Sequence, residues 1–177
     1  MVGVGIVAAI FLKGPRTPLP GPVSQQLPRN IDVALNNARF NEIRDGVPVW
    51  ELVADRAEYD KSGEVAHLAT IRMTYVKSGG SGPITVTADK GDYFSSTRNV
   101  HLQGNVHIET GSGMVMDTDA LDYVAEQSTF RTKSRVVIRH ERLSLQASGM
   151  ELNAKNETTR FPAAVDAVIE GLQQLKN

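Results

Sequence analysis

Two histidines stand six residues apart in the stretch VHLQGNVHI, at His101 and His107, and imidazole is the commonest metal ligand. If that stretch is a strand, both rings lie on one face, about 20 Å apart at ~3.3 Å per residue, too far to share one ion. His67 and His140 have no His or Asp partner at ligand spacing. The run DTDALD, Asp117 to Asp122, carries the alternating carboxylates of a calcium loop. Such a loop needs glycine sixth and glutamate twelfth, where this chain has Asp122 and Ser128. The repeated Asp55, Asp89 and Asp119 suit turns or strand edges better than ligation. KSGGSGP, Lys77 to Pro83, lacks the Gly-Lys-Ser/Thr of a phosphate loop and reads as a hairpin connection. Carboxylates such as Glu58 and Asp60 recur along the chain with no spacing that converges on one point. With no cysteine there is no thiolate nucleophile, thiolate zinc site or disulfide framework. The residues therefore imply no catalytic site, no metal and no cofactor. The balance of 19 basic and 20 acidic residues gives no basic face for nucleic acid.

What the chain does contain is repetition. Four ten-residue segments align without gaps: WELVADRAEY from Trp50, ITVTADKGDY from Ile84, MVMDTDALDY from Met114 and LSLQASGMEL from Leu143, at offsets of 34, 30 and 29 residues. Positions one and three are apolar in each copy: Trp50 and Leu52, Ile84 and Val86, Met114 and Met116, Leu143 and Leu145. Position five is always small (Ala54, Ala88, Thr118, Ala147), and position ten is Tyr59, Tyr93, Tyr123 or Leu152.

A second segment type follows each of the first three. Val100, Leu102, Val106 and Ile108 alternate with His101, Gln103, Asn105 and His107, and Phe130, Val136 and Ile138 repeat the pattern one period later, with Thr132 in place of Leu102. In the earlier copy Leu68 matches Leu102, but Ile71, followed by Met73, comes one residue early. A bulge or turn near Ala69 is therefore expected. Turns such as DKSGE and FSSTRN separate the segments.

Each period thus holds at least two antiparallel strands with one apolar and one polar face, a unit too small to bury that face alone. The expected fold is all-β: an elongated antiparallel folded sheet or β-jelly-roll of repeated strand pairs over 30–161. The apolar face is long, with few aromatic residues to fill the space between its halves. Met114 and Met116 add side chains that adapt to irregular apolar ligands. A folded sheet that does not close completely would leave a groove for acyl chains, lined by Trp50, Leu52, Ile71, Met73, Ile84, Val86, Val100, Leu102, Val106, Ile108, Met114, Met116, Phe130, Val136, Ile138, Leu143 and Leu145.

The ends differ in composition. Val2 to Leu12 is an uncharged apolar run, followed by Lys13. As a helix it spans roughly 16 Å, about half a bilayer core. Three readings fit 1–13: the end of a membrane anchor that begins before Met1, a signal-peptide core, or a buried first helix. Lys13 and Arg16 follow the run, which does not match the positive-inside rule for an anchor in this orientation. Residues 14–29, with prolines at 15, 18, 20, 22 and 28, read as an extended spacer. In 162–177, Val165, Val168, Ile169, Leu172 and Leu175 at helical spacing after Pro162 predict a short C-terminal helix. It could cap the sheet, dock a partner or be a tail.

The segments WELVADRAEYD and VTADKGDYFSSTRNVHLQGNV, behind an apolar run and a linker, resemble the periplasmic lipopolysaccharide-export protein C family (the Lpt C component). The resemblance covers about Asn30 to Phe161. The same repeat occurs in the family's soluble relative, the periplasmic A component, and the N-terminal apolar run tips the likeness towards C. The resemblance implies a non-enzymatic lipid-transfer protein anchored in the inner membrane with a periplasmic domain. It would take lipopolysaccharide from an inner-membrane ABC transporter (the Lpt B, F and G components) and pass it to the Lpt A component through edge-to-edge strand pairing. Other readings of the repeats are a soluble A-type bridge protein, a structural or adhesive β-solenoid with a filled core, and a carbohydrate-active enzyme on a β scaffold.

Overall fold

A computed structural model of the chain describes residues 33–76, 82–156, 158–163 and 165–169. Ten antiparallel strands make one sheet: β1 (Val33–Arg44), β2 (Val47–Asp60), β3 (Val65–Tyr75), β4 (Ile84–Phe94), β5 (Asn99–Thr110), β6 (Val115–Val124), β7 (Thr129–His140), β8 (Leu143–Asn153), β9 (Thr158–Arg160) and β10 (Val165–Ile169). Strands β1 to β8 are neighbours in sequence order, and both β9 and β10 pair with β8. The all-β expectation holds. Among the described residues no helix is long and apolar enough to cross a membrane. The expected anchor and spacer, 1–13 and 14–29, lie outside the described residues.

The C-terminal expectation needs correction. Val165 to Ile169 is a strand paired antiparallel to Leu143–Ala147, not the start of a helix; 170–177 lie outside the described residues. Its register with β8 is offset by one residue from that of β9, Glu151 facing Arg160 and Ala147 facing Val165. The same one-residue shift interrupts the pairings of β4 with β5, β5 with β6, β6 with β7 and β7 with β8. Strands β9 and β10 are therefore two halves of one ninth strand, broken at Phe161 and Pro162. Val165, Val168 and Ile169 satisfied a helical spacing, but the free edge of β8 supplied backbone partners and decided the outcome.

Each long strand bends at its middle, and the burial pattern marks where. In β2, Ala54 and Ala57 are both buried with Asp55 and Arg56 exposed between them, and β4 repeats this with Ala88, Gly91, Asp89 and Lys90. Two consecutive residues facing outward mean that the strand has turned a corner. The small residue at repeat position five lies inside that corner, where the two halves of the sheet converge. Gly91 shows how closely neighbouring strands approach at the corner: a Cβ there would meet His101 O of β5 at 2.5 Å and Ile71 Cδ1 of β3 at 2.8 Å. The odd strands turn at residues with positive φ, Asn37, Thr70 and Asn105. Thr70 is the irregularity expected near Ala69. It drops out of the pairing with β2 and β4 without shifting register, so Leu68 and Ile71 both face inward.

The sheet is therefore folded along a line of corners, leaving two free margins. One carries the connections Arg44–Val47, Thr110–Val115 and His140–Leu143. The other carries the turns Asp60–Val65, Phe94–Asn99 and Val124–Thr129. At the second margin successive turns are tied together: Ser95 N donates to Glu64 O at 3.0 Å, Ala125 N to Asn99 Oδ1 at 3.0 Å and Ala154 N to Ser128 O at 2.8 Å. Glu64, Arg98 and Ser128 hold the same left-handed place before β3, β5 and β7.

Candidate functional site

The inner face of the folded sheet is the one continuous apolar surface among the described residues. Of the seventeen side chains expected to line a groove, fourteen are buried to 5% exposure or less; Met114, Leu143 and Leu145 are not. All of them sit on the inner face. In this structure the two halves of the sheet pack on each other through them.

The margins meet through aromatic side chains that the sequence pattern undervalued. Phe40 lies 5.1 Å from Tyr93 between ring centroids, Trp50 lies 5.8 Å from Tyr93 and 6.4 Å from Tyr123, and Tyr75 lies 6.1 Å from Tyr123 and 6.3 Å from Phe130. Each pair joins a residue near the first margin to one near the second, with T-shaped or tilted geometry favoured by ring quadrupoles. Six of the ten aromatic residues fall in this chain of contacts. The tyrosines at repeat position ten were the signal for it. Tyr123 is fully buried, and its hydroxyl lies against the buried Ser128 hydroxyl without a hydrogen bond of good geometry. Burial, with smaller contributions from Tyr75 and Glu42, raises its pKa well above the ordinary tyrosine value.

A buried carboxylate sits beside these rings. Glu42, 4% exposed, accepts Trp50 Nε1 at 2.8 Å, Arg44 Nη2 at 2.8 Å and Arg98 Nη1 at 3.1 Å. Glu42, Arg44 and Trp50 belong to the first margin and Arg98 to the second, so the cluster clasps the mouth. Hydrogen bonding to Glu42 raises the Arg44 pKa. No sequence reading found this group, because its members come from three separated strands and turns.

These contacts also reveal a stagger. The first-margin half of β1 meets the second-margin half of β4, and that of β3 meets β6 and β7. The outermost halves therefore have no opposite number. There the inner face is uncovered: Val33 and Leu35 are 42% and 46% exposed at one end, Leu143 and Val165 39% and 41% at the other.

The polar residues behave differently from the first expectation. The corner at Gly104 and Asn105 lies between His101 and His107 and puts them on opposite halves of the sheet. Each has an aspartate on the neighbouring strand: His101 Nδ1 is 2.6 Å from Asp122 Oδ1 and His107 Nδ1 is 2.7 Å from Asp117 Oδ1. His67 pairs likewise with Asp92 at 2.6 Å, a partner invisible in linear spacing. Among the described residues no group of three or more such side chains could hold a metal ion. Asp55, Asp89 and Asp119 lie exposed along the outside of the corners.

Three comparisons bear on this arrangement. No curated protein matches the chain. The crystal structure of LptH from Pseudomonas aeruginosa, described as the LptA homologous periplasmic component of the conserved lipopolysaccharide transport device, matches with a TM-score of 0.55. It is 15% identical, over 69% of this chain and 95% of LptH, a likeness of fold. The family model described as "Lipopolysaccharide-assembly, LptC-related" matches residues 2–170. With nearly its whole length matched, the chain belongs to the LptC-related family of lipopolysaccharide assembly.

Proposed function

We propose that this chain is a lipid-transfer component of lipopolysaccharide export, and that its folded sheet receives the acyl chains on its inner face. The observation that carries the reading is the apolar face that runs through every long strand and emerges uncovered at both ends. Each methylene removed from water is worth about 0.8 kcal/mol, so acyl chains do not cross an aqueous gap unaided. An apolar interior makes their transfer out of a bilayer nearly neutral. Since that interior is filled by the chain's own side chains, lipid must part the two margins, separating the aromatic contacts and the Glu42–Arg98 bond. Direction then comes from ATP hydrolysed elsewhere.

On this reading the domain stands in the periplasm, held to the inner membrane by the N-terminal apolar run. It takes lipopolysaccharide from the ABC transporter formed with the Lpt B, F and G components. It passes the lipid to the Lpt A component, with the free edges at β1 and β9–β10 as docking surfaces. The close packing of the interior also suits a second reading, a structural β-solenoid with a filled core.

Photo-reactive residues separate the two. Placed at Val86 or Leu102, which face inward, they are expected to capture lipopolysaccharide. Placed at Thr87 or Gln103 on the outer face, they are not. Equal labelling of both faces, or none with no lipid co-purifying, would favour the filled solenoid.

A further inference from the structure

Position nine of the repeated segment is acidic in all four copies: Glu58, Asp92, Asp122 and Glu151. A second series, His67, His101, Arg131 and Arg160, is basic and is spaced by the same 34, 30 and 29 residues. The even strands carry the acids and the odd strands the bases. Pairing brings the two series into one row: Glu58 faces His67, His67 faces Asp92, Asp92 faces His101 and His101 faces Asp122. The row continues with Asp122 facing Arg131, Arg131 facing Glu151 and Glu151 facing Arg160. Two of its steps close into direct contacts, His67 with Asp92 and His101 with Asp122, both at 2.6 Å. An acid facing a base across a strand pair favours it and like charges disfavour it, so the row favours these pairings over others.

The row stops on a base at one edge and on nothing charged at the other. On β9 it ends at Arg160, which is exposed, and among the described residues no strand pairs with the outer edge of β9. On β1 the corresponding place is Ala34, opposite Glu58. The two edges therefore ask for different neighbours.

We propose that the β9 edge selects its partner by charge: it accepts an antiparallel strand of another folded sheet that sets a carboxylate opposite Arg160. The proposal rests on the reading that sheet edges dock, and deepens it by naming the partner's chemistry. A second copy of this chain does not meet the requirement. Its free strand β1 offers Ala34 at that place. With inner faces and corners aligned, β1 would also run parallel to β9. The alternating row thus gives a chain of linked sheets one direction and discourages self-association.

The test uses the full chain with a photo-reactive residue in place of Thr158 and the A component of the same cell as probe. The wild type captures the A component. Arg160→Glu weakens capture about threefold to tenfold, the range set by losing one cross-strand ion pair and gaining a repulsion. Reversing the facing carboxylate of the A component to lysine restores it. Arg72→Glu, on the outer face of β3, changes nothing, and circular dichroism confirms that each variant folds. Undiminished capture by Arg160→Glu would overturn the charge selection while leaving edge docking in place. No capture by the wild type at Thr158 would overturn both.

Discussion

The corners and the mouth of this folded sheet are closed by different physics. At the corners the fit is between backbones. Gly91 has no room for one carbon beside His101 O, and Ala54, Ala57 and Ala88 fill what space remains. At the mouth the closure is made by side chains: a file of aromatic rings and one carboxylate shared by Trp50, Arg44 and Arg98. Backbone contacts tolerate no adjustment, whereas rings and ion pairs can separate and re-form. The bend is therefore held by close backbone fit along one line, and the proposed entry of lipid lies along the other.

The most severe effect is expected at the corner. Gly91→Val is expected to cost about 3 kcal/mol, the upper end of the usual overpacking penalty, because the clash is with main chain. Its urea midpoint should fall without any gain in lipid capture. Glu42→Leu strikes the mouth instead. It leaves Trp50 Nε1 buried without an acceptor, a loss of about 1–3 kcal/mol. Capture of lipopolysaccharide at Leu102 should rise because the margins part more easily. If both variants lose stability and capture together, the division between corner and mouth fails.

Tyr123→Phe should bring a gain in stability. Removing a buried hydroxyl that makes no hydrogen bond of good geometry is expected to stabilise the chain by about 1 kcal/mol. The same residue sets an alkaline limit. Its folded pKa lies above the unfolded value of about 10, so the unfolded chain releases the proton first. Stability is full below that pH and declines as pH rises beyond it, and the decline should be shallower in Tyr123→Phe. The smallest effect lies on the outer face. At Asp117 partial burial raises the pKa, but hydrogen bonds and charge from His107 and Arg139 outweigh it and hold the carboxyl below its usual value. That contribution is present above about pH 4 and is lost as pH falls through the lowered value. In half-molar salt it should nearly vanish, as expected for a half-exposed pair.

Much of this architecture was legible because strand alternation is local. Val100, Leu102, Val106 and Ile108 announce their face within a dozen residues, whereas the small fifth position could be seen in the repeat but its place at a corner could not. What stayed hidden depends on residues distant in sequence. The acceptor of Trp50 is Glu42 on another strand, and His67 finds Asp92 only once β3 and β4 pair. The chain's end misled for the opposite reason. Val165, Val168 and Ile169 satisfy a helical period locally, while the waiting edge of β8 is a tertiary fact. The small number of aromatic residues suggested an underfilled interior. Their concentration at the mouth depends on the stagger of the two halves, which no linear pattern encodes.

Lipid is expected to open the mouth while the corners hold, and the absence of native cysteines makes this directly measurable. Spin labels on cysteines replacing Asp45 and Thr97 sit on the two margins beside the Glu42 clasp. A second pair, replacing Asp55 and Asp119, sits along the outside of the corners. Addition of lipopolysaccharide is expected to lengthen the Asp45–Thr97 distance and leave the Asp55–Asp119 distance unchanged. Lipid captured at Leu102 with no change across the mouth would contradict the account.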